Sequence, residues 1–288
     1  MRSINKIVKA QKVNMGGIFL DQPLPYYGIN QIDPFLLIHH WSDELPGGEK
    51  QQNVGVGPHP HRGFAPVTFI FKGSVHHRDS LGVENIVTRG GTQWMNSGRG
   101  IVHSERPGVE LAEEGGEFEI IQFWINAPAV HKMDEPNYQP LNKEETPVVL
   151  SDDGKIEVGV VAGEFKGKSS KISTYSPLQI LRLEVEKDGE IEIPIPENYN
   201  ALVYLLDGSL TINKSETANQ KDMVWFNNDS TNIHIKGKET TRAILLAGEP
   251  IGEELATHGP FVMNTQREIM EAIRDYQSGK MGRLVETF

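Results

Sequence analysis

Gly57-Pro-His-Pro-His-Arg-Gly-Phe-Ala-Pro-Val-Thr-Phe-Ile-Phe-Lys-Gly-Ser74 carries two patterns at once. Its first half places the imidazoles of His59 and His61 on either side of a proline; its second half is a β-branched and aromatic run closed by Gly73. Alternate residues on a strand point to the same face, so the two imidazoles aim in one direction. Pro60 lacks a backbone donor and suits an edge strand or barrel rim. A second alternate pair, His103-Ser104-Glu105, follows the turn-like Asn96-Ser-Gly-Arg-Gly100. Two such strands facing each other inside a barrel would bring His59, His61, His103 and Glu105 together. Three neutral imidazoles and a carboxylate suit Fe, Ni, Cu, Zn or Mn as a divalent ion. An octahedral ion would keep two open positions, whereas tetrahedral zinc would be saturated and structural.

Strand signals continue outward from this segment. Val67–Phe71, Phe118–Trp124, Ala201–Leu206 and Arg242–Leu246 are runs of the same kind, separated by Gly90-Gly91, Asp152-Asp153-Gly154, Asp207-Gly208 and Asn227-Asn228-Asp229. Many short strands indicate an all-β sandwich or barrel. A weak repeat sharpens this, because Val67–Ser74 aligns with Leu202–Ser209 and Trp94 with Trp225. The same alignment sets Pro194 and Pro196 against His59 and His61, His234 against His103, and Lys236 against Glu105. The second half is therefore expected to be a barrel without a metal, and the chain to hold one divalent ion. The boundaries expected are 1–130 for the metal-binding barrel, 131–148 for a linker rich in Pro, Asn and charge, and 149–288 for the second barrel. Within the last block, Thr265 and Glu268 have capping-box spacing, and Ile269, Ala272, Ile273 and Tyr276 follow a helical period ending at Gly279. This predicts a C-terminal helix packed back on a barrel.

Composition narrows the function. A formal charge of −11 without a Lys/Arg cluster argues against general nucleic-acid binding. The absence of cysteine excludes disulfides, thiolate metal sites and cysteine nucleophiles, and fits a cytoplasmic setting. No apolar stretch is long enough to span a bilayer, and the charged, glycine-interrupted N-terminus is unlike a secretory signal. No phosphate-cradling glycine loop or serine nucleophile elbow is present, so no organic cofactor site is expected. His39-His40 reads as core, and His76-His77 as structural or as a support to a ligand. His131 and His258 are expected to face water. Arg62 and Arg99 read as structural ion pairs, and Phe64, Trp94 and Trp124 as core first and pocket wall second.

At Gly57–Phe64, Gln93-Trp-Met-Asn-Ser-Gly-Arg-Gly-Ile-Val-His-Ser-Glu105, Lys132–Gln139, Gly259–Asn264 and Asp275–Gly279 the chain resembles the pirin family of the cupin superfamily. The resemblance covers nearly the whole chain. It implies a bicupin, two antiparallel β-barrels of the jelly-roll type, with metal in the first barrel only. It also implies His59, His61, His103 and Glu105 as ligands, and Fe(II) as the usual ion. Bacterial relatives are associated with quercetin 2,3-dioxygenase activity, which implies a small aromatic substrate, dioxygen, and Glu105 as a catalytic base. Animal members imply the alternative, a non-enzymatic metal or redox sensor that binds a partner protein. One departure is Ala65-Pro66 where the family usually has Glu-Thr; it falls near the pocket mouth rather than on a ligand.

Overall fold

The computed structural model describes residues 1–288. Nearly all regular structure is antiparallel strand, with two α-helices, Val109–Glu114 and Gln266–Gln277. All four expected runs are strands: Phe64–Lys72, Gly116–Asn126, Asn200–Leu205 and Thr241–Gly248.

Two compact units divide the chain, residues 40–143 with 251–288, and residues 1–39 with 144–250. The first unit contains a four-stranded sheet in the order Val56–His61, Ile101–Pro107, Ser74–Asp79, Glu84–Thr88. Its other sheet contains Asn137–Leu141, Thr92–Asn96, Phe64–Lys72 and Gly116–Asn126 in that order. The second unit repeats this plan. Its small sheet runs Glu190–Pro194, Asn232–Gly237, Ser209–Ile212, Glu216–Asn219, and its larger sheet is ordered Ile4–Lys9, Asp222–Phe226, Asn200–Leu205, Thr241–Gly248, Leu178–Val185, Ile156–Ala162, Val148–Leu150. Each is a cupin-type barrel, so the fold is a bicupin.

This grouping departs from the boundaries 1–130, 131–148 and 149–288 in three places. The N-terminal segment belongs with residues 144–250 because Ile4–Lys9 completes a sheet beside Asp222–Phe226. Arg2 fixes that end, its buried guanidinium donating to the carbonyls of Pro196, Tyr199 and Ser230 and to Asn228 Oδ1. Residues 131–143 are not a linker, since Asn137–Leu141 pairs along Thr92–Asn96. The proline at 140 is tolerated on this edge strand.

The C-terminal helix likewise groups with residues 40–143 rather than with 149–250. Its capping box forms as the spacing implies, with Thr265 Oγ1 accepting from the Glu268 amide and Glu268 Oε2 from the Thr265 amide. Ile269 and Ala272 are buried in a cluster with Val102, Phe261, Met263 and Met281. The apolar stripe thereby covers the outward side of the strand that carries His103.

Candidate metal centre

His59 and His61 lie on an edge strand, as Pro60 requires, and His59 pairs across the ladder with His103. Between His103 and Glu105 the register slips, setting Glu105 opposite Val56. The chain leaves His61 through Gly63 at φ +86, where a Cβ would meet the Val262 carbonyl oxygen at 1.9 Å. Only glycine fits there. The turn before His103 is anchored by the Arg99 amide donating to the Asp134 carbonyl and Gly100 to that of Ser97.

The Nε2 atoms of His61 and His103 each stand 3.0 Å from Nε2 of His59. The tautomers follow from the other side of each ring. His59 Nδ1 lies 2.8 Å from the Gly57 carbonyl and His61 Nδ1 3.4 Å from that of Pro260. A carbonyl only accepts, so both Nδ1 atoms carry the proton and both Nε2 atoms present lone pairs. His103 Nδ1 faces His77 Nδ1 at 3.5 Å, and His77 Nε2 faces Asp79 Oδ2 at 3.0 Å. With Asp79 accepting from His77, the relay leaves the third lone pair on His103 Nε2. Three lone pairs at this spacing repel unless a cation shares them, and the set is one that a divalent transition metal accepts. The triad can hold such an ion. Burial, followed by the charge of neighbouring rings, pushes the pKa of His61 and His103 well below the ordinary histidine value, keeping them neutral and fit to ligate.

Glu105, the fourth expected ligand, is adjacent rather than within the triad: its Oε2 stands 4.0 Å from His103 Nε2. Thr68 Oγ1 donates to Oε1 at 3.1 Å, Gln122 Nε2 to Oε2 at 2.7 Å, and Gln93 Nε2 also donates to Oε1. These donors fix the orientation of the carboxylate. Trp124 Nε1 donates to Gln122 Oε1 at 3.1 Å, and its ring lies 4.3 Å from Phe64, both rings packing against His61. Pro66 stands across the ladder from Trp124, so the Ala65-Pro66 departure lies beside that ring.

The remaining expectations sort by face. Phe64 is buried and Trp124 half-buried against His61, whereas Trp94 is buried away from the rings and donates to Asn96. His40 is buried against Glu119, and His39 contacts Gln22. His76 points to the opposite face from His77, toward Glu84 and Gln51. Arg62 pairs with Asp275 and Arg99 with Glu135, as structural ion pairs. His131 is held by Asp134 at the surface, and His258 is exposed.

No sequence motif marks Thr68, Gln93, Gln122, Asp79 or Tyr138 as site residues. Their signal is a polar residue at an alternate position within an apolar strand, as in Val67-Thr-Phe and Ile121-Gln-Phe, and it names no target. Tyr138 stacks on His77 with centroids 4.1 Å apart, and burial raises its phenol pKa.

Fold and site together define a bicupin with a histidine triad in one barrel. The sequence model of the pirin family matches residues 20–125, and that of the pirin C-terminal cupin domain residues 180–282. The chain belongs to the pirin family. It is 35% identical to a pirin-like protein of Solanum lycopersicum over 98% of this chain and 93% of that one. It is 36% identical to human pirin, covering 88% and 84% of the two chains. Among solved structures, quercetin 2,3-dioxygenase from Acinetobacter baumannii superposes with a TM-score of 0.92 at 32% identity, over 99% of this chain and all of that one. No helix is long and apolar enough to cross a membrane.

Proposed function

We propose that this protein is an iron(II)-dependent dioxygenase that opens the central ring of flavonols such as quercetin. The observation that carries the reading is the convergence of three Nε2 lone pairs beside the Glu105 carboxylate. Likeness to the Acinetobacter enzyme supports the substrate class. His59, His61 and His103 would hold the ion, with Glu105 as a fourth ligand or as the base next to it. The bound ion supplies positive charge that favours the deprotonated flavonol and a redox centre for dioxygen.

The chain's own part is to orient the substrate and move one proton. Trp124, half-buried beside His61, offers a flat face for the planar ring system, and buried Phe64 backs it. Glu105 Oε2 is the oxygen nearer the triad and takes the proton of the substrate 3-hydroxyl. Gln122 and Thr68 keep the carboxylate aimed while it does so. In the overall reaction both atoms of dioxygen enter the product. The two carbon–carbon bonds to carbon 3 break, and carbon 3 leaves as carbon monoxide with its own oxygen.

The test is anaerobic loading with ferrous ion and quercetin, followed by a pulse of oxygen. Carbon monoxide equimolar with consumed quercetin is expected, and Glu105→Gln should slow its release by about 100-fold or more, the scale of general-base catalysis. Iron-loaded protein that leaves quercetin intact would overturn the proposal.

A further inference from the structure

The barrel formed by residues 144–250 has a cavity, an open cleft of about 530 Å³, between the start of Leu178–Val185 and the end of Glu190–Pro194. Buried Phe165, Leu178 and Ile195 form its apolar floor, with Thr231 and Tyr199 nearer the surface. That volume lies in the range of small-molecule sites, which combine an apolar lining with a few fixed polar groups.

One such group is present. Gln179 shares a strand face with Leu181 and Leu183, which belong to the barrel core, so its side chain turns inward. Its Nε2 donates to the Glu164 carbonyl at 3.3 Å, which sets the orientation of the amide. The other end, Oε1, is buried and has no hydrogen-bond partner. A buried acceptor left unmet is costly, and a ligand hydroxyl would satisfy it. The charged residues of the lining, Glu164 and Lys166, are exposed, and Lys166 pairs outward with Asp152. No buried charge in the lining compensates an ionic ligand.

We propose that this cavity is a second binding site, for an uncharged phenol whose hydroxyl donates to Gln179 Oε1 and whose ring rests on Phe165 and Ile195. The site is independent of the metal centre and of the reaction assigned to it.

The probe is 2-naphthol, with naphthalene as the analogue that lacks the donor, titrated into the full chain and followed by NMR of isoleucine and leucine methyls. Saturable shifts at Ile195 and Leu178 are expected, and they should persist in a His103→Ala background. Gln179→Leu should weaken 2-naphthol about tenfold, a typical loss for one buried hydrogen bond, while leaving naphthalene unchanged. Thr231→Trp, at an exposed position on the rim, should block both compounds even if Gln179→Leu fails to fold. Absence of shifts at Ile195, or equal 2-naphthol affinity with and without the Gln179 amide, overturns the assignment.

Discussion

The two barrels share a strand order and differ in what their small sheets turn inward. In one, His59 stands across the ladder from His103; in the other, Ile193 stands across from Ile233 and Ile191 from Ile235. Those isoleucines are fully or almost fully buried in an aliphatic core that also takes in Ile195, Leu181, Leu183 and Val203. The repeat in the sequence sets His234 and Lys236 against His103 and Glu105. These residues instead face away from the core, both engaging Glu190. The alignment is one residue out, and because side chains alternate along a strand, one residue exchanges lining for exterior. The same scaffold thus supports a polar, cation-ready interior or a dry one, depending on which residue of each pair occupies the inward position.

The largest way to break this contrast is His103→Ala. Metal affinity should fall by more than the roughly 100-fold that loss of a mere supporting residue costs, and elemental analysis of the purified variant should find less than one equivalent. Retention of a full equivalent would show that the triad is not the binding set. The counterpart in the dry barrel is Ile233→Ala, which should cost about 2–5 kcal/mol in denaturant unfolding while leaving metal stoichiometry intact. A large drop in bound metal there would deny that the two interiors have separate roles.

His77→Phe keeps a ring stacked on Tyr138 but removes the relay from Asp79 to His103. Metal affinity by competition titration should weaken about 10–100-fold with little change in melting temperature. Unaltered affinity would make the relay incidental. A smaller effect is expected from pH in the metal-free protein. Unfolded chains protonate each ring near pH 6.5, whereas folded His61 and His103 stay neutral to lower pH. Below that value the unfolded state binds more protons. Stability is therefore present above about pH 6.5 and lost as the pH falls toward the folded values, by at most about 1.4 kcal/mol per pH unit for each ring. Replacing both rings with Leu should flatten that slope; an unchanged slope would place the titration elsewhere. The least consequence belongs to Arg99→Ala, which breaks an exposed ion pair with Glu135 and should shift stability by less than about 1 kcal/mol.

Short-range pattern made much of this legible. Alternation over His59-Pro-His61 and His103-Ser-Glu105 marks inward-facing pairs wherever the strands lie, and the capping box at Thr265 specifies its helix from local hydrogen bonding alone. The supports of Glu105 were not legible, because Thr68, Gln93 and Gln122 come from three strands of the other sheet and resemble ordinary polar residues in sequence. The same holds for the association of Ile4–Lys9 with Asp222–Phe226, a pairing across more than 200 positions that no local signal encodes.

From the sequence alone came the strand content, the duplication and the identity of the residues able to ligate, since periodicity and donor chemistry are properties of neighbouring residues. The tertiary structure decided that the three rings present lone pairs to one another, that Glu105 stands beside them under three hydrogen bonds, and that isoleucines line the other barrel. Those outcomes depend on ladder register and on partners brought in from distant strands, and register is set by which face can be buried.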